Sequence, residues 1–236
     1  MIRFLRILVI VLALAVVAGY VATYFMADRI IERVRANLSE TLIAPFSPGE
    51  NDQFGYKVHL HFWPPTVEVN DLSIKAKSLQ VDGDIFESCE LTVDKILCDL
   101  FPLLREKKLD GLIVKGRKFS GLLTFNQLAK RLERTGGALS GLAIDEYNRK
   151  ARIRGRFGRV SITKMTVVGN WKIDDRNVVT LADRVYYNPD SYVPSGIAMI
   201  LEKEINFDIR IHILDDELIP EKVSFDSSGL ALSMHD

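Results

Sequence analysis

Val67-Glu-Val-Asn-Asp-Leu-Ser-Ile-Lys-Ala-Lys-Ser-Leu-Gln-Val81, followed by Asp82-Gly83, decides the fold. Val67, Val69, Leu72, Ile74, Ala76, Leu79 and Val81 recur at close to every second position, with Glu68, Ser73, Lys75 and Lys77 among them. A period of two puts the apolar set on one face of a strand. Asp82-Gly83 then supplies the positive-φ residues of a tight hairpin turn. Upstream, Val58, Leu60 and Phe62 alternate with Lys57, His59 and His61 until Pro64-Pro65, which break a strand or mark an edge. Downstream, Leu91, Val93 and Ile96 form a further run expected to end near Pro102. Strands joined by short turns, with no helix between them, indicate an antiparallel meander.

The pattern continues toward the C-terminus. Residues 112–114 and 119–123 read as short strands. Thr124-Phe-Asn-Gln127 has the spacing of a capping box. The helix it opens would run through Leu128, Leu132 and Glu133, hold Lys130, Arg131 and Arg134 outward, and stop at Gly136-Gly137. Residues 138–148 fit neither period. From Lys150, Ile153 and Phe157 face one way and Arg152, Arg154 and Arg156 the other, and Val160, Ile162, Met165, Val167 and Trp171 follow. Asp174 to Asn177 is a turn and 178–187 a strand. Phe207, Ile209, Ile211 and Ile213 alternate with polar residues up to a turn at Asp215-Asp216. Val223, Phe225, Leu230 and Leu232 flank Ser227-Ser228-Gly229 as a last hairpin. The expected fold is α+β, a long curved antiparallel sheet packed on two or three helices.

A different signal precedes this domain. Residues 7–27 carry no charge, and as a helix they would span about 30 Å, the thickness of a bilayer's hydrocarbon. A cleaved signal peptide is the rival, with Arg3 and Arg6 as its basic start. The run exceeds the usual ~7–15 residues of such a segment and no small-x-small cleavage site follows, which favours an uncleaved transmembrane helix. Ile30, Ile31, Val34, Leu38 and Leu42 keep helical spacing until Pro45 and Pro48. The organisation expected is an anchor over 1–27, a helical stalk over 28–50 and the sheet-plus-helix domain over 51–236. Basic residues on both sides of the anchor leave its orientation open.

Composition narrows the chemistry. With 31 basic and 31 acidic residues the net charge is zero, which argues against a general nucleic-acid binder. Cys89 and Cys98 would stand about 30 Å apart on one strand, far beyond disulfide reach, and read as two small core residues. His59 and His61 share a strand face and could begin a metal site. No third ligand stands at a telling spacing, so a solvated face fits better, and no metal or cofactor is expected. No nucleophile elbow, zinc-protease motif or phosphate-cradling glycine loop occurs, and no enzymatic activity is expected. Trp63 fits either a loop tip touching a bilayer or a structural core tryptophan. Arg152, Arg154 and Arg156 fit either an exposed face that discourages edge pairing or a contact for anionic lipid headgroups.

Three stretches, taken in order, resemble the bacterial LmeA-like phospholipid-binding proteins: residues 69–93, the strand-to-helix passage Phe119-Ser-Gly-Leu-Leu-Thr-Phe-Asn-Gln-Leu-Ala-Lys-Arg-Leu132, and the terminal hairpin over 218–232. The similarity covers roughly residues 30–234. Two features depart from it: Asn70 is not preceded by Gly, and Phe62-Trp63-Pro64-Pro65 replaces the family's turn. The resemblance implies a single-pass protein of the inner (cytoplasmic) membrane with its bulk on the periplasmic or extracytoplasmic side. It also implies a phospholipid or other acyl-chain lipid held against the sheet, in lipid transport or envelope maintenance. Phe62, Ile74, Val81, Leu122, Phe125, Leu128 and Leu132 are the expected lining, each equally readable as ordinary core. The alternative is a non-enzymatic envelope scaffold with a dry core and a protein partner.

Overall fold

The computed structural model describes residues 27–47, 49–50, 52–137, 139–157, 164–188 and 191–236. The uncharged run therefore lies almost wholly outside the described residues, as do Val160 and Ile162. No helix among the described residues is long and apolar enough to cross a membrane. The fold is α+β and mostly antiparallel sheet. Two compact units divide it: one holds the described part of 1–45 with 58–68 and 97–112, the other holds 46–57, 69–96 and 113–236.

The first unit opens with residues 27–38, which are helical (α1); a wider π turn at Ser39–Ile43 and then a tighter 3-10 turn at Ala44–Phe46 follow. Val34, Leu38 and Leu42 form its buried stripe, as their spacing requires. The unit also holds the tip of a hairpin made by β1 (Gln53–Phe62) and β2 (Pro65–Val81), and the end of β3 (Asp84–Asp99). A short helix, α2 (Leu100–Glu106), follows where the sequence suggested only the end of a strand. Pro102 falls in its first turn, where the missing amide costs nothing. Lys107 closes the helix in the left-handed region.

The second unit takes in β2 from Val69 onward. Val67, Val69, Leu72, Ile74, Ala76, Leu79 and Val81 of β2 are all buried. Between Val69 and Leu72 the alternation slips by one, and Asp71 takes a left-handed φ of 55° there. β4 (Ile113–Thr124) is one strand where two were expected. It passes into α3 (Phe125–Thr135), with Thr124 at the N-cap position. The expected capping box does not form, since Thr124 makes no side-chain cap bond. Gly136 ends the helix by donating its amide to the Leu132 carbonyl at 2.7 Å.

Two principal sheets replace the single long one expected. β5 (Leu139–Tyr147), β6 (Lys150–Phe157), β7 (Lys164–Ile173), β8 (Val179–Asn188) and β9 (Ser191–Tyr192) pair in sequence order. After α4 (Ser195–Glu204) comes a two-stranded ribbon, β10 (His212–Ile213) with β11 (Asp216–Glu217). Phe207, Ile209 and Ile211 are buried as the alternation implied but stand outside the named strands: Ile209 makes an isolated bridge to Val179, and the Ile211 carbonyl accepts from the Leu218 amide at 2.9 Å. Finally β12 (Ile219–Asp226) and β13 (Gly229–His235) form the terminal hairpin. β13 pairs with β4, from Gly229 opposite Thr124 to His235 opposite Lys118. The first sheet thus has the order β1-β2-β3-β4-β13-β12, and β5 to β9 form the other.

One helix assignment is corrected. Arg131, expected outward on α3, is only 4 % exposed. Its guanidinium donates to the Asp84 carboxylate and to the Arg210 carbonyl, and Asp82 lies 3.7 Å away. Arg134 donates to the same Asp84 at 2.9 Å and to the Gly83 carbonyl at 3.1 Å. The Asp-Gly turn is therefore tied to α3 by a charge cluster that needs Asp84, itself 4 % exposed, for its balance.

Candidate functional site

The site builds from the outer face of the five-stranded sheet. On β6, Ala151, Ile153, Gly155 and Phe157 are buried, so Lys150, Arg152, Arg154 and Arg156 must project from the opposite face. The register sets their neighbours. Asp145 stands opposite Arg152, Ala143 opposite Arg154 and Ser140 opposite Arg156 on one side; Val168, Thr166 and Lys164 stand opposite the same three arginines on the other. Between Ser140 and Ala143 the β5 strand carries one extra residue. Gly141 has φ 61°, the left-handed first residue of a bulge that a side chain would strain.

The three arginines expected to act together are divided by their partners. Arg152 grips Asp145 with two hydrogen bonds, Nε to Oδ1 at 2.8 Å and Nη2 to Oδ2 at 2.5 Å, and its guanidinium lies 4.8 Å from the Tyr147 ring centre. The bond from Arg152 holds the Asp145 carboxyl below the usual carboxylate range. Arg154 takes a share of the same carboxylate at 3.1 Å. Arg156 has no carboxylate partner among the described residues, and neither does Lys164 directly opposite it. The six residues joining these strands, 158–163, contain no Asp or Glu and add Arg159. Like charges placed opposite each other on a sheet repel, and a bound anion would relieve them.

These groups surround a cleft of about 730 Å³. Gly141, Ala143, Gly155 and Met165 give it an apolar floor, and Ser140, Arg154, Arg156, Lys164 and Thr166 add two unshared cations, one shared cation and two hydroxyls. Lys164 and Ser140 were not anticipated. The available signal was that a hairpin centred on residue 160 would set Arg156 against Lys164. Val160 and Ile162 within it suggested a continuing strand instead.

The apolar candidates stand elsewhere. Ile74, Val81, Leu128 and Leu132 are at most 1 % exposed, so protein atoms close around each of them. Phe125 is half-buried against the Phe225 ring, 5.6 Å between centres. Leu122 is half-buried and lies out of phase with the buried Phe119, Gly121 and Leu123 of β4, hence on the other face of its sheet. Phe62 closes β1, and its side chain lies outside the described residues. Ile74, Val81, Leu128 and Leu132 thus lie buried in the core. His59 and His61 are exposed on β1, and His61 Nε2 lies 3.1 Å from Glu68 Oε2.

No family model, curated protein or solved structure matches this chain. Guanidinium and ammonium groups beside hydroxyls, in a cleft open to solvent, suit an oxyanion such as phosphate.

Proposed function

We propose that this protein is a bilayer-tethered, non-enzymatic lipid-binding protein of the bacterial envelope. It takes the phosphate of an anionic phospholipid between Arg156 and Lys164, with Arg154, Ser140 and Thr166 around it. The observation that carries this is the facing pair Arg156 and Lys164, unneutralised among the described residues, in a cleft large enough for a headgroup. The tether is residues 7–27, uncharged and of bilayer length, in the inner membrane with the domain on its extracytoplasmic side. The resemblance to LmeA-like proteins supports the same ligand class.

The closed core narrows the ligand's reach. A lipid chain lodged at Ile74, Val81, Leu128 and Leu132 would have to part side chains that leave no space in this structure. That same closure favours the second reading, an envelope scaffold with a dry core. Native mass spectrometry of the full chain, extracted in mild detergent, separates them. Phospholipid that co-purifies with the protein, and is lost from an Arg156→Ala/Lys164→Ala variant of unchanged melting temperature, supports headgroup binding. A lipid-free protein, or equal lipid on both, refutes it and leaves the scaffold.

A further inference from the structure

We propose that Trp63 and Phe101 form a second lipid contact, a wedge that enters the surface of the anionic bilayer beside the point where the chain emerges from it. This rests on the tether proposed above, but it names a surface distant in sequence from both tether and cleft.

Both rings are displayed rather than packed. Trp63, at the turn between β1 and β2, is 93 % exposed, and Phe101, in the first turn of α2, is 65 % exposed. The sequence allowed Trp63 either role, and this exposure removes the core one. They also issue from one end of one sheet. The two-residue turn at Asp82-Gly83 makes β2 and β3 a hairpin, so the Pro65 end of β2 returns beside the Asp99 end of β3. Trp63 precedes the first by two residues and Phe101 follows the second by two.

The same unit contains the chain's exit from its uncharged run. Asn37 of α1, 6 % exposed, donates Nδ2 to the Leu103 carbonyl of α2 at 2.8 Å, and Lys107 pairs with Glu40 at 2.6 Å. From Asn37 back to Ala27, the last residue of the uncharged run, is ten residues of helix, about 15 Å. A helix pinned to α2 at that distance cannot emerge from a bilayer without bringing α2 close to its surface. The chemistry of the patch fits that surface. Indole rings favour the headgroup level, where one edge is apolar and the N–H is wet. Arg105, on the same short helix, is exposed and has no carboxylate partner among the described residues, which suits anionic headgroups.

Trp63 reports on itself, because the chain has two tryptophans and Trp171 is buried. The full-length Trp171→Phe protein is reconstituted into phosphatidylcholine–phosphatidylglycerol vesicles carrying bromine either near the glycerol or near the chain ends. Loss of most Trp63 emission with the shallow bromines, and little with the deep ones, is the expected result. Emission of a water-exposed indole, unchanged by either lipid, overturns the wedge. Should Trp171→Phe not fold, 5-fluorotryptophan in the unaltered sequence reads the same contact by paramagnetic-lipid broadening, with Trp63→Phe assigning the resonance. Alkaline carbonate extraction of the same vesicles tests the tether separately. Protein that resists extraction without quenching keeps the tether and loses the wedge; quenched protein that is extracted keeps the wedge and loses the tether.

Discussion

Replacing Asp84 by Asn removes the buried carboxylate that balances Arg131, in a cluster whose other members, Asp82 and Arg134, reach solvent. Asp84 and Arg131 are each 4 % exposed, and Arg131 keeps only Asp82 at 3.7 Å and the Arg210 carbonyl once that carboxylate is neutral. Burial already pushes the Arg131 guanidinium below its ordinary range. Breaking such a pair costs about 3–5 kcal/mol, because the surviving charge stays desolvated. At roughly 2–4 °C per kcal/mol for a chain of this size, the melting temperature falls by roughly 6–20 °C. Near-UV circular dichroism in one mild detergent, scanned on the parent and Asp84→Asn, measures it. The charge-free pair Asp84→Asn/Arg131→Met is the control and should recover much of the loss, since the buried guanidinium has gone with its partner. A loss under about 1 kcal/mol, the range of exposed pairs, would refute the reasoning. So would a double variant no more stable than the single one.

Asp145 gives a pH signature: its carboxyl is held low by Arg152, so its contribution is present above the unfolded pKa of about 3.9 and disappears as pH falls through the lower folded value. Asp145→Asn should lack that part of the acid destabilisation in a melting series at falling pH. It should also bind inorganic phosphate more tightly by calorimetry, because Arg152 and Arg154 are then unshared. Cys89 and Cys98 are free, buried thiols pushed up to about 12 and about 11, chiefly by burial, so Ellman's reagent at mild alkaline pH should find neither until denaturant is added. Gly116→Ala should destabilise by roughly 1–3 kcal/mol in denaturant titration, since the position has φ 68° and the new Cβ would fall 2.1 Å from an Asp94 carboxylate oxygen.

What could be read locally was read from period and punctuation. The alternation from Val67 to Val81 and the Asp82-Gly83 turn set β2 and the start of β3, because strand faces repeat every two residues whatever lies beyond them. Gly136 likewise ended α3. α4 gave no such signal: its exposed Ile197, Met199 and Ile200 follow no buried stripe, and Leu201 is the one buried residue among those of α4 whose side chains are described.

Other features belong to the tertiary structure alone. Periodicity tells which side of a strand a residue occupies, but not which strand lies beside it, since pairing is fixed by contacts far apart in sequence. Only the fold could insert β13 between β4 and β12, split the expected sheet into two, and turn Arg131 inward to meet Asp84. Only the register could spend Arg152 on Asp145 while setting Arg156 against Lys164. Arg152, Arg154 and Arg156, alike as sequence, differ in chemistry because a charge is defined by what stands across from it.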